Sequence, residues 1–141
     1  MLEVLIALLV LSVGLLGLAG LQYSGLKSNR SAYLRSQASI LASQITDSMR
    51  TNRANAASYV VGFGSTPTGT TLADQDLQEW KTNLANSLPA GDGKIAVTGN
   101  LVTVTIQWDD SGAITYLGTT SATSAAVASA KTTQLTVQMQ L

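Results

Sequence analysis

From Val4 to Leu21 the chain carries eighteen residues with one polar side chain, Ser12, and no charge. A helix of that length and polarity is long enough to cross a bilayer. Behind it the apolar residues withdraw to one face. Leu34, Ala38, Leu41, Ala42, Ile45 and Met49 recur at three- and four-residue steps, while Ser36, Gln37, Ser43, Gln44, Asp47 and Ser48 fall elsewhere. No proline interrupts the pattern from Met1 to about Asn52. The spacing predicts one continuous helix of roughly 75–80 Å, with an apolar tip over 1–26 and an amphipathic shaft over 27–53. The stripe on the shaft requires a sheet or a second helix against it.

The remainder, 54–141, reads as a globular head. Residues 54–71 are rich in Ala, Gly, Ser and Thr and include Pro67, which predicts mostly loop. A short amphipathic helix follows over 74–88, with Leu77, Trp80, Leu84 and Leu88 on its apolar face and Thr71 or Asp74 as its cap. Pro89-Ala90-Gly91-Asp92-Gly93 ends it. Strands are predicted at 94–98, 101–108, 113–117 and 134–141. Gly99-Asn100 joins the first two as a tight hairpin. Val102, Val104, Ile106 and Trp108 share one face of the second strand, and Leu135, Val137, Met139 and Leu141 one face of the last. Such alternation marks antiparallel strands with one solvated face. The fold class is therefore α+β: a long N-terminal helix packed on a small antiparallel sheet, with a Ser/Thr/Ala-rich loop over 118–133 that composition alone marks as a place for glycans.

Charge narrows the chemistry. Eight basic and eight acidic residues cancel, and charged residues make up only 11% of the chain, so it lacks a long-range pull on nucleic acid or anionic lipid. Neither Cys nor His occurs, which removes disulfides, thiolate metal sites and the commonest general base. No catalytic set, metal site or cofactor is expected. Lys27, Arg30, Arg35, Arg50 and Arg53 read as a solvated helix face or as inter-subunit pairs. Asp109-Asp110 reads as turn chemistry, with calcium ligation as the alternative. Trp80 and Trp108 read as core anchors, alongside the helix stripe.

Two features of the tip stand apart. Glu3 is the only charge in the first 26 residues, and an ionisable group beside hydrocarbon is costly without a partner. Gly14, Gly17 and Gly20 each cost about 1 kcal/mol relative to Ala in a helix interior. Either they permit close helix packing or they make a stretch that melts locally; both imply contact between helices.

The run from Glu3-Val4-Leu5-Ile6 through Ser12-Val13-Gly14-Leu15-Leu16-Gly17-Leu18 resembles the N-terminal helix of type IV pilins and type II secretion pseudopilins. The continuation Ala19-Gly20-Leu21-Gln22, the pieces Asp47-Ser48-Met49-Arg50 and Leu88-Pro89 with Gly91-Asp92-Gly93, and the strand Val102 to Asp110 are similar to the PilV-like minor pilins. The family pattern has a short basic leader cut by a prepilin peptidase, then a residue that becomes N-methylated. Set against that pattern, about two mature residues precede Met1, which is then an internal position. The C-terminal disulfide loop of many major pilins and their helix-distorting proline have no counterpart in this chain.

The resemblance implies a structural subunit without enzymatic activity. It waits in the bacterial inner membrane with its head in the periplasm, although Lys27, Arg30 and Arg35 taken alone would place that end in the cytoplasm. It then enters or primes a type IV pilus through an assembly platform, with other pilins and minor pilins as partners. In that scheme Val4, Leu5, Leu8, Leu9, Val13, Gly14, Leu15, Gly17, Leu18 and Gly20 exchange lipid for neighbouring helices. Glu3 sets the register by pairing with the N-terminal amine of an adjacent subunit. A minor pseudopilin of type II secretion and a low-abundance adhesion or DNA-uptake pilin remain as alternatives; a major pilin or a membrane-tethered binding domain stands further off.

Overall fold

The structure, a computed structural model, describes residues 2–110 and 132–140. Helix α1 runs Leu2–Thr51 as one rod, as the uninterrupted pattern predicts. The whole predicted stripe, Leu34, Ala38, Leu41, Ala42, Ile45 and Met49, is buried, together with Thr46. The chain then tightens into a 3-10 helix, Arg53–Tyr59, inside the stretch expected to be mostly loop. Two contacts explain the difference. Asn55 donates to Asn52 through both its backbone N–H, at 2.9 Å, and its side-chain amide, at 2.8 Å. Tyr59 is fully buried and draws the segment onto the core.

Helix α2 spans Leu72–Ser87, two residues ahead of the expected start. The reason is its cap. Thr71 Oγ1 accepts from the Asp74 N–H at 3.2 Å, and the Asp74 carboxylate accepts from the Thr71 N–H at 3.1 Å. Of the two candidate caps, Thr71 takes the position and Asp74 reciprocates from three residues on, a capping box. Leu88 closes the helix with an extended backbone and remains buried.

Three antiparallel strands follow in the order β1 (Asp92–Thr98), β2 (Leu101–Asp109) and β3 (Thr132–Gln140). Gly99 and Asn100 form the two-residue turn between β1 and β2, with Thr98 opposite Leu101 and Gly99 at φ +60°, a conformation that glycine adopts without a Cβ penalty. β1 starts two residues before the expected Lys94, because Asp92 and Gly93 pair with Gln107 and Ile106. β3 starts two residues before Gln134, because Thr132 and Thr133 pair with Asp109 and Trp108. The strand expected over 113–117, the rest of the 118–133 loop and Leu141 lie outside the described residues. The turn expected at Asp109-Asp110 continues into residues 111–112, which lie outside the described residues. Asp109 is the last residue of β2, and the buried Asp110 accepts a hydrogen bond from Ser31 Oγ at 2.7 Å.

α1 packs against α2, β2 and β3, and α2 packs against β1. The two helices thus cover one face of the sheet. Val102, Val104, Ile106 and Trp108 are buried there, and Leu135, Val137 and Met139 of β3 are half-buried against the same core. Val61 pairs with Ile95 along the outer side of β1, with N–H to O distances of 3.2 and 2.9 Å. At the centre sits Trp80, whose indole Nε1 donates to the Leu41 carbonyl of α1 at 2.9 Å.

The same ring lies on Gly93. A methyl group there would overlap the Trp80 Cη2 atom and come within 2.8 Å of Leu84 Cδ1. Gly93→Ala should therefore destabilise the fold by about 1–3 kcal/mol through overpacking. Thermal unfolding of the full chain in detergent reads this out; an unchanged midpoint would show that the ring can move away at no cost.

Candidate assembly surface

α1 is made of two unlike halves. Ser31 with Asp110 joins the head to the rod, followed upward by the buried Leu34. Below it α1 continues to Leu2, a projection of roughly 45 Å that no described element of the head packs along. Val4, Leu5, Leu8, Leu9, Val13, Leu15 and Leu18 are all exposed, each at 52% or more of its surface. Within this segment α1 is long and apolar enough to cross a membrane. A bare apolar cylinder of this size far exceeds the roughly 300–600 Å² patch that an ordinary soluble monomer exposes.

Glu3 sits in the first turn of α1 and is exposed. That placement favours a carboxylate electrostatically, because the helix N-terminus carries partial positive charge. Among the described residues Glu3 makes no ion pair. Gly14, Gly17 and Gly20 lie on the same bare segment, with nothing within 4 Å of where a Cβ would stand. Among the described residues nothing packs closely at these glycines. Ser12 Oγ turns back to the Leu9 carbonyl at 2.8 Å, so the one polar side chain of the run is satisfied inside its own helix.

The sequence-predicted residues thus separate into two places. Leu34, Ala38, Leu41, Ile45 and Met49 meet Trp80 and Trp108 in the core of the head. Glu3 and the ten tip residues stay together on the free half of α1, remote from the head.

Sequence reasoning missed the polar contacts that hold the pieces of the head together. Lys81 Nζ reaches the Asp92 carboxylate at 2.5 Å and the Gly62 carbonyl at 3.0 Å. Asp92 also accepts from the N–H groups of Gly64, at 2.6 Å, and Gly93, at 2.7 Å. This node ties α2, the chain after the 3-10 helix and β1 together. Tyr59 OH donates to Asp76 at 2.5 Å and joins the 3-10 helix to α2. A signal for Lys81 was available, since it continues the Leu77, Leu84, Leu88 spacing on α2. Ser31 likewise continues the α1 stripe below Leu34.

Burial opposes ionisation at Asp92. The hydrogen bond from Lys81, those from Gly64 and Gly93, and the Lys81 charge outweigh it, so the carboxyl is held below its ordinary 3.8. At Tyr59, burial and the hydrogen bond to Asp76 push the phenol above its ordinary 10.0, against a smaller lowering by the hydrogen bond from Asn52.

Comparison with family models, with curated proteins and with solved structures yields no match for this chain.

Because the folded state binds the Asp92 proton more weakly than the unfolded chain, the stabilisation is complete above pH 3.8 and is lost as pH falls through the lower, folded value. Asp92→Asn should lose that acid limb and, by stranding the mostly buried Lys81 ammonium, cost about 2–4 kcal/mol at neutral pH. Denaturant unfolding of both forms between pH 2 and 7 tests this. Parallel pH profiles would show that the node does not carry the acid sensitivity.

Proposed function

We propose that the chain is a structural subunit of a pilin-type filament, in the manner of the PilV-like minor pilins, and that the free half of α1 is its assembly element. The supporting observation is the division of α1. One unbroken helix has its upper half fixed to a folded head and its lower half, with Glu3 at the extremity, carrying an exposed apolar tip. Before assembly the lower half is held in the bacterial inner membrane with the head in the periplasm. During assembly the same surface exchanges lipid for neighbouring helices. Both surroundings are apolar, so little hydrophobic free energy separates them, and packing at the glycines together with polar contacts decides the outcome.

Glu3 then acts as the selector of register. In lipid its position at the helix end leaves it near the headgroups. In a bundle it lies against other subunits, where a cationic N-terminal amine satisfies it, and an opposite charge counts for far more in apolar surroundings than in water. A subunit stopped at the wrong height leaves that carboxylate buried and uncompensated, at a cost of about 3–5 kcal/mol. No enzymatic step belongs to this reading. Its partners are other pilin subunits, the assembly platform and the prepilin peptidase that would process the precursor.

Glu3→Ala should remain folded and membrane-associated yet fail to enter surface fibres. Fractionation of sheared fibres from membranes, with immunodetection of the chain in each, distinguishes the outcomes. Incorporation at the level of the unmodified chain would overturn the role given to Glu3.

A further inference from the structure

We draw no further inference here: the strongest candidate, the cleft between Thr46, Asp47 and Arg50 of α1 and Val137, Gln138 and Met139 of β3, carries nothing because Asp47 and Arg50 already pair with each other and nothing among the described residues shows what covers it.

Discussion

The indole of Trp80 lies where three elements converge. Its ring rests on Gly93 of β1, its neighbour Leu84 closes the same space, and its Nε1 hydrogen is given to the Leu41 carbonyl of α1. The bond is buried and made between two helices. It fixes the height at which α2 crosses α1, and the sheet follows, because β1 packs against α2 and β2 against α1. Ile45, Met49, Leu77 and Leu84 fill the volume around the ring with essentially no exposed surface. In an interior packed to that density even a single added methyl group is felt.

This anchoring point explains the division of labour along α1. The head is secured between Ser31 and Met49 by the Trp80 wedge, and it is braced at its rim by Lys81 with Asp92, Tyr59 with Asp76, and Asp110 with Ser31. Each brace joins separate stretches of chain, and each is at least half shielded from water. The head therefore does not depend on the lower half of the helix for its stability. The lower half is correspondingly free to change surroundings without disturbing the fold above it.

Much of this was legible in the residue pattern. The unbroken run to Asn52, the six-residue stripe and the alternation in β2 and β3 reflect periodicities that burial enforces directly, and the helix, the stripe and both strands are where the pattern placed them. The element ends were less legible, for a local reason. The start of α2 depends on which of Thr71 and Asp74 receives a hydrogen bond, and the starts of β1 and β3 depend on cross-strand pairing with Gln107, Ile106, Asp109 and Trp108. Neither can be read from one segment alone. The 3-10 helix was hidden because Ala and Ser in Arg53–Tyr59 carry no amphipathic signal, and a buried tyrosine and an asparagine pair hold it instead. On the assembly surface, the composition of the tip was plain from the start, but its exposure beyond the described head depends on where that head meets α1.

The pairing of Asp109 with Thr132 has a consequence for biosynthesis. Of the described elements, β3 comes last along the chain, yet it packs on α1, which comes first. Domains form during translation only when their pieces have emerged, and chains leave the ribosome at about 5–20 residues per second. The greasy segment is thus in the open for several seconds before the sheet can close behind it. The described head does not cover it afterwards either, so closure of the sheet hides the stripe of α1 and not its apolar tip.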